Sequence, residues 1–338
     1  MKRIVLIKLG ALGDVIRTLP LAKAIKKTYP DSELTWITKN NAKSVIELNQ
    51  NINNVKTLPF SPNEDFDILY NFDIEDEVTT LAKEIKAKEK FGFASEGGFI
   101  STFNLGAEYY LNTLFDDEIK KSNTKTYQEM MFLAAELPYE KEPYKIVLTS
   151  QEKANTQKFK EQNNLLNKKV IGIHIGSSPR WPSKAWNGEN IKYFIKKAKE
   201  KGYEIILFAG PDEPEKQEQI LNSLGKEGIK ILKNNPDNSI REFISLVSAC
   251  DYMVCSDSLA LHVAVGLQKP TVALFFCTPP EEVEGYGFLT KLSSPMLTEF
   301  FPERMDEYSE ELTKSISADQ VFKELNLITS HYQKNANK

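Results

Sequence analysis

The first residues in the chain that could carry chemistry lie in a short glycine-rich segment, Gly10-Ala11-Leu12-Gly13-Asp14. Gly10 and Gly13 permit a tight turn and a close approach of a ligand to the backbone. A helix that starts here offers free N–H groups and a partial positive charge. Asp14 is then either an ordinary helix N-cap or a carboxylate that accepts a proton from a substrate hydroxyl. From this loop alone both interpretations stay open.

The spacing of these glycines differs from the GxGxxG pattern of dinucleotide-binding loops. No acidic residue stands in a clear ribose-binding place after the next predicted strand, and Asp14 would repel a dinucleotide phosphate. The segment therefore weighs against a nicotinamide cofactor.

A second segment, residues 176–186, combines small hydroxyls with cations and two tryptophans. Ser177 and Ser178 can donate hydrogen bonds to an oxyanion, and Lys184 can neutralise its charge. The alternative is that the tryptophans anchor the loop by packing and that the cations are solvated. The pattern favours packing for the tryptophans and function for Lys184.

A third segment, residues 255–262, joins a predicted strand to a helix. Ser258 and the helix N-terminus can hold a phosphate, whereas Asp257 is suited to accept hydrogen bonds from sugar hydroxyls. His262 follows Ser258 by four residues and so lies one turn further on the same helix face. A single histidine on a helix is more often an ordinary packed or surface residue, and that alternative stays open.

The cysteine and histidine content predicts no metal site. The three cysteines form no CxxC pair, and the three histidines form no HExxH motif or His/Cys cluster. The cysteines are interpreted as small buried apolar residues.

The elements that must position these segments alternate between short β-branched runs and longer amphipathic stretches, which is typical of βα units and parallel sheets. Residues 138–168 contain two prolines and a polar helical stretch, which indicates a domain boundary. We expect domains at 1–149 and 150–316, with a C-terminal helix over 317–338 that packs back across them. Residues 97–117 lack periodicity and are predicted to be irregular. Strands are predicted at residues 3–8, 33–38, 54–58, 67–71, 90–93, 170–174, 204–208, 230–232, 252–255 and 271–276, and a first helix over 14–29.

Length and charge restrict the function classes. The chain has 338 residues, a formal net charge of −4 and 41% hydrophobic residues, which suits two packed domains and argues against broad nucleic-acid binding. The longest apolar runs, residues 4–7 and 271–277, are too short to span a bilayer. The amino terminus has no signal-peptide core, because Lys8 interrupts it. We therefore expect a cytoplasmic protein.

Taken together, the segments resemble glycosyltransferase family 9, the bacterial lipopolysaccharide heptosyltransferases, which are inverting enzymes of the GT-B fold. The resemblance extends over nearly the whole chain and consists of four motifs in order. These are residues 3–20 with the Gly13-Asp14 pair and Leu19-Pro20, residues 174–186 with Lys184 at the family lysine, residues 209–213, and residues 250–278 with Asp257-Ser258 and His262. One departure is Leu259, which stands where the family has glycine.

The resemblance implies two Rossmann-like βαβ domains that face each other across a central cleft, the first binding the acceptor and the second the nucleotide-sugar donor. It implies transfer of heptose from ADP-heptose to a lipopolysaccharide core or related cell-surface glycan, without metal or cofactor. If the acceptor carries lipid, peripheral contact with the inner membrane face follows. By residue, it implies that Asp14 is the general base, that Lys184, Ser177, Ser178 and Ser258 face the donor diphosphate, that Asp257 and His262 face the donor sugar or its phosphate, and that Asp212 lies at the nucleoside.

Three other functions remain open from the residues. One is a nucleotide-sugar binding protein without catalysis, which Leu259 motivates, and another is a glycosyltransferase with a different nucleotide sugar. The third is a dehydrogenase or sugar-nucleotide epimerase on a similar scaffold, against which the glycine spacing weighs.

Overall fold

The computed structural model describes the backbone of residues 1–61 and 64–336, and the side chains of these residues up to 330. The end of the predicted tail segment 317–338 thus lies outside the described residues. The chain divides into two compact units. Unit 1 comprises Met1–Val147 and the short segment Glu281–Glu284, and unit 2 comprises Leu148–Pro280 and Gly285–Lys338.

Unit 1 is a six-stranded sheet with helices between its strands. The strand order is β3-β2-β1-β4-β5-β6, parallel throughout except for β6, which is antiparallel to β5. Its strands are β1 Arg3–Ile7, β2 Glu33–Thr38, β3 Asn54–Thr57, β4 Phe66–Asn71, β5 Ala87–Glu96 and β6 Phe99–Thr102. Its helices are α1 Leu12–Thr18, α2 Pro20–Thr28, α3 Asn40–Ile46, α4 Asp76–Glu84, α5 Leu105–Phe115, α6 Asp117–Ser122 and α7 Tyr127–Ala134.

Unit 2 is a second six-stranded sheet, parallel at every pairing, with the order β12-β11-β10-β7-β8-β9. Its strands are β7 Val170–His174, β8 Glu204–Phe208, β9 Leu232–Lys233, β10 Tyr252–Ser256, β11 Thr271–Phe275 and β12 Leu289–Ser293. Its helices are α8 Ser150–Gln162, α9 Gly188–Glu200, α10 Pro214–Lys226, α11 Ile240–Ser248, α12 Leu259–Gly266, α13 Leu297–Phe300, α14 Glu310–Lys314 and α15 Ala318–Ala336. The predicted mixed α/β fold with two largely parallel sheets is confirmed.

The central strand of each sheet is a continuous apolar run because both of its faces are covered. In β1, all residues from Ile4 to Ile7 are fully buried. β1 lies between β2 and β4, and β7 lies between β8 and β10. In each sheet the strand order therefore extends first to one side of the first strand and then to the other. Ligands bind at such switch points, outside the carboxyl ends of the strands. The loops after β1, β7 and β10 therefore begin where ligands usually bind in such sheets.

Two sequence expectations about unit 1 are wrong in detail. The predicted helix over 14–29 is two helices, because Pro20 lacks the N–H that a continuous helix needs and instead begins α2. Residues 97–117, expected to be irregular, form the β5–β6 turn, β6 and α5. Gly97 and Gly98 adopt positive φ angles of 59° and 84° in that turn. α5 lacks an amphipathic period because its position depends on close backbone packing against α7 at Gly106.

The C-terminal helix α15 clusters with unit 2, where it packs on α9, β11 and β12. Val321, Phe322 and Leu325 supply its buried face. Among the described residues, no helix is both long and apolar enough to cross a bilayer.

Candidate functional site

Each unit holds one group of candidate residues. In unit 1 the loop after β1 leads directly into α1, whose N-cap is Ala11. Asp14 is the third residue of the helix, so the N-cap interpretation of Asp14 is wrong. Its side chain is 32% exposed and belongs to the first turn of the helix. A carboxylate in this position is stabilised by the helix dipole.

Arg17, one turn further on α1, pairs with Asp14. Its Nε and one terminal nitrogen lie 3.0 and 2.9 Å from the same carboxylate oxygen, Oδ1. The other side of the guanidinium stacks on Tyr127, with 3.7 Å from its carbon to the ring centre. Burial alone would lower the pKa of Arg17, but Asp14 and Tyr127 outweigh it, and the pKa is raised. Arg17 is thus a permanent cation beside the candidate base.

A buried ion pair supports the Gly10 loop from below. Lys8 Nζ lies 2.8 Å from Asp73 Oδ1 and donates also to the Phe72 carbonyl at 2.8 Å. The other oxygen of Asp73 accepts from the backbone N–H groups of Leu9 and Gly10. Burial by itself would lower the pKa of Lys8, but the combined charges around it, Asp73 first among them, raise the pKa well above its usual value.

Gly10 packs closely against this same pair. A Cβ atom at Gly10 would lie 3.1 Å from both Asp73 Oδ1 and Lys8 Nζ, which is tighter than most side-chain contacts. The glycine therefore makes room for an internal ion pair. Gly13, inside α1, is buried.

In unit 2, Lys184 and Asp257 come together although they belong to different loops. Lys184 Nζ lies 2.7 Å from Asp257 Oδ2, and the two side chains are 13% and 17% exposed. The hydroxyl of Thr278 donates to the same carboxylate oxygen at 2.9 Å. Lys184 ends a short 3₁₀ turn in which Ser183 is fully buried and donates to the Glu307 carbonyl at 2.7 Å. The position of the lysine is thereby tied to the core of unit 2.

The two serines at the start of this loop are placed differently. Ser177 Oγ donates to the Trp181 carbonyl at 3.3 Å, within the loop itself. Ser178 is exposed. Trp186 is 2% exposed and its Nε1 donates to the Ile316 carbonyl at 2.9 Å, so this tryptophan is a packing anchor.

Ser258 stands at the N-cap of α12, but its hydroxyl caps nothing. Its Oγ is buried without a hydrogen-bond partner among the residues that the structure describes. A buried hydroxyl at a helix N-terminus is suited to donate to a phosphate oxygen. His262 is buried on the same helix, 6% exposed. Leu259, the first residue of α12, is partly buried.

The turn after β8 carries Asp212, which is exposed. Its neighbour Glu213 instead folds back, where its carboxylate accepts from the Gly210 N–H at 2.8 Å and occupies the space that a side chain at Gly176 would need. Glu213 thus joins the turn after β8 to the start of the loop after β7.

His174, the last residue of β7, has its Nδ1 buried without a partner in the described part of the chain. Burial, with a smaller contribution from the nearby Lys216 charge, lowers the pKa of His174 to about 4. Lys216 Nζ donates to the Ile175 and Trp186 carbonyls at 2.9 and 3.4 Å, and so ties together the two ends of the loop after β7.

A family model described as glycosyltransferase family 9 (heptosyltransferase) matches residues 62–300. The chain belongs to glycosyltransferase family 9. Lipopolysaccharide heptosyltransferase 1 of Campylobacter coli is 23% identical over 298 residues, covering 82% of this chain and 84% of the relative. Lipooligosaccharide heptosyltransferase 2 of Haemophilus influenzae is 26% identical over 183 residues, and the chain spans only 50% of that relative's length.

The solved structures similar to this family 9 chain share its fold. A glycosyltransferase family 9 protein from Veillonella parvula superimposes with a TM-score of 0.76 at 20% identity, covering 97% of both chains. The Escherichia coli ADP-heptose lipopolysaccharide heptosyltransferase II gives a TM-score of 0.73 at 18% identity, covering 98% of this chain and all of that one. The GT-B fold class is confirmed.

Several residues of this family 9 chain that shape the candidate sites were not singled out from the sequence. They are Lys8, Arg17, Asp73 and Tyr127 in unit 1 and Glu213 in unit 2. Lys8 carried a signal, since a lysine that interrupts an apolar strand end needs a partner once buried. The partner Asp73 follows a different strand, and only the pairing of β1 with β4 brings the two together.

Proposed function

We propose that this protein is an inverting heptosyltransferase that moves heptose from ADP-heptose to a lipopolysaccharide core or related cell-surface glycan. The observation that carries the proposal is the Asp14 carboxylate, held beside a cation at the carboxyl end of β1 in a chain of this family. The relatives named above are lipopolysaccharide and lipooligosaccharide heptosyltransferases, one of them with ADP-heptose in its title. These names supply the substrate class.

In the proposed reaction Asp14 accepts the proton of the acceptor hydroxyl. The acceptor oxygen forms a bond to the anomeric carbon of heptose, and the bond from that carbon to the phosphate oxygen breaks on the opposite side. The electron pair leaves with ADP. A positioned base of this kind contributes about 10²–10⁴-fold to a rate.

Unit 2 supplies the complementary charge for the leaving group. Lys184, the Ser258 hydroxyl and the N-terminal N–H groups of α12 are donors suited to the donor diphosphate, with Ser177 and Ser178 from the same loop as Lys184. Asp257 and His262 are assigned to the donor sugar or its phosphate, and Asp212 to the nucleoside. Because Lys184 and the helix terminus already provide positive charge, we propose that transfer requires neither metal nor cofactor. Undiminished transfer in excess chelator is the expected result.

The test replaces Asp14 by Asn and follows heptose transfer from ADP-heptose to a deacylated lipopolysaccharide core. We expect transfer to fall by about 10²-fold or more, because the amide cannot accept the proton. The affinity for ADP, measured by calorimetry, should stay within about twofold, since its site lies in unit 2. The exposed residue Asp31 offers a matched control, and Asp31→Asn should transfer normally.

Transfer and binding assays of the unmodified protein and of Asp14→Asn also separate the other candidate functions. Normal turnover by Asp14→Asn removes this residue from the mechanism. Donor binding by the unmodified protein with neither transfer nor donor hydrolysis identifies a binding protein without catalysis. Selective binding of UDP or GDP instead of ADP keeps a glycosyltransferase but changes its donor. A lipid-bearing acceptor adds peripheral contact with the inner membrane face, and co-sedimentation with vesicles that contain the acceptor lipid tests that contact.

A further inference from the structure

The contacts of Arg17 with Asp14 are better defined in geometry than those of an exposed ion pair on a helix. Two of its nitrogens reach one oxygen of Asp14, at 3.0 and 2.9 Å, and the side chain of Arg17 is only 14% exposed. Exposed pairs at this spacing contribute little because both side chains move freely. Because Arg17 is mostly buried, its side chain has lost most of that freedom. It therefore holds the Asp14 carboxylate in a defined geometry.

The aromatic side chains behind Arg17 form a rigid support. The guanidinium lies 3.7 Å from the ring centre of Tyr127, and Tyr110 meets Tyr127 edge-on with ring centres 5.8 Å apart. The Tyr127 hydroxyl lies 3.4 Å from Thr18 Oγ1, which donates to the Asp14 carbonyl at 2.7 Å. Arginine stacks on aromatic faces in this way, whereas lysine cannot offer the same planar fork. Both the side chain and the backbone of Asp14 are thereby linked to Tyr127.

The charges around Asp14 come from several elements. Arg17 on α1 and Lys8 at the end of β1 are cations, and Tyr127 on α7 and Tyr110 on α5 are phenols whose pKa values burial raises. Glu282, in the short segment that belongs to unit 1, also acts on Arg17 and is a smaller influence than Asp14. An opposite charge within a few ångströms favours the ionised form of a carboxyl group.

We infer that Arg17 is a positioning residue for the transfer reaction, stacked on Tyr127 so that it holds the Asp14 carboxylate in one orientation and in its ionised form. This inference rests on the proposed role of Asp14. A base must be ionised and correctly oriented when the acceptor hydroxyl arrives, and a displacement of about 1 Å costs about 10²-fold in rate. The arginine contributes to both conditions without touching the reacting atoms.

The chain contains a matched control for this arrangement. Arg304 in unit 2 pairs with Glu307, again three positions away but in the opposite direction along the chain, with Nε at 2.9 Å and a terminal nitrogen at 2.7 Å from Oε2. Its guanidinium carbon lies 4.4 Å from the ring centre of Phe300. Both charged side chains are about half exposed. Chemically similar contacts thus occur at a place with no proposed role in transfer.

The experiment measures the pH dependence of kcat for the unmodified protein, Arg17→Met, Arg17→Lys and Arg304→Met. For Arg17→Met we expect the acid limb to move to higher pH by about 1–3 units, because Asp14 loses its nearest cation. We expect kcat on the plateau to fall about tenfold to a hundredfold, with the donor KM unchanged. Arg17→Lys should keep the limb near its original pH but lose much of kcat, which separates charge from orientation. Arg304→Met should change neither.

An unchanged acid limb and an unchanged kcat in Arg17→Met overturn the inference. ADP affinity and the thermal unfolding midpoint of each variant show that the protein remains folded, and Arg17→Lys serves where Arg17→Met does not fold. Asp14→Asn distinguishes the two failures. If Asp14→Asn transfers normally, the proposed function of Asp14 fails, and if it is inactive while Arg17→Met behaves as the unmodified protein, only the role of Arg17 fails.

Discussion

β1 and β7 occupy equivalent central positions in their sheets, and each leads into a candidate loop. The titratable group at the end of β1 is charged, whereas the one at the end of β7 is neutral. Lys8, directly after β1, is charged and neutralised by Asp73. His174, at the end of β7, has a buried Nδ1 and a pKa lowered to about 4, so it is neutral at pH 7. The end of the first strand thus carries a charged group in an ion pair, and the end of the second carries a neutral imidazole. We therefore expect the two loops to respond differently to pH and to loss of charge.

The partly buried ion pairs of the two candidate sites differ as well. Asp14 and Arg17 are neighbours on one helix, so their contact forms whenever α1 forms. Lys184 and Asp257 come from loops after different strands and meet only when unit 2 is folded. In our proposal the first pair serves proton transfer and the second serves the donor, with Lys184 at the diphosphate and Asp257 at the sugar or its phosphate. The following variants separate these roles, from the largest expected effect to the smallest.

Lys8→Met tests the ion pair below the first loop. The change leaves the buried Asp73 carboxylate without its cation, and breaking such a pair costs about 3–5 kcal/mol of unfolding free energy. Urea denaturation measures the loss. The exposed pair of Lys88 with Asp67 is the control, and Lys88→Met should leave the unfolding free energy nearly unchanged. Equal losses of unfolding free energy in the two variants would show that burial does not increase the contribution of the Lys8–Asp73 pair to stability.

His174→Gln tests the neutral strand end in unit 2. The unfolded histidine takes up a proton near pH 6.5, whereas the folded one resists it until about pH 4. Acid therefore favours the unfolded state, and stability present above pH 6.5 is lost as the pH falls toward 4, by about 2–3 kcal/mol from this residue. Gln does not titrate, so the variant should lose less stability over that interval. Denaturant unfolding at pH 7 and pH 4.5 measures the difference, and parallel losses in both proteins would contradict the expectation.

Lys184→Met tests the donor side of the comparison. Without this cation, we expect ADP affinity to weaken about 10- to 100-fold, the value of one hydrogen bond to a charged group. Calorimetric titration with ADP measures it. Lys314→Met removes an exposed lysine that pairs with Glu310 and should bind ADP normally. Asp14→Asn and Arg17→Met should also bind normally, so a loss of ADP affinity in those variants would erase the proposed division between the units.

The sequence was sufficient to predict the α/β fold and the family, because buried parallel strands and their loops leave local patterns. The strand over 33–38 coincides with β2, and that over 204–208 with β8. The break at Pro20 was predictable from the sequence, because proline interrupts a helix, but the prediction of a single helix over 14–29 did not take this into account. α5 was missed because its position depends on packing against α7, which local periodicity does not record.

What the sequence determined by itself is the alternation of strands and helices, the four family motifs and the residue types in each loop. These depend on interactions between near neighbours in the chain, such as the i, i+3 spacing of Asp14 and Arg17. Only the tertiary structure decided the partners: Asp73 for Lys8, Tyr127 for Arg17, and Thr278 with Lys184 for Asp257. Each of these contacts joins segments far apart in sequence, and burial makes a partner necessary without specifying which one the fold will bring.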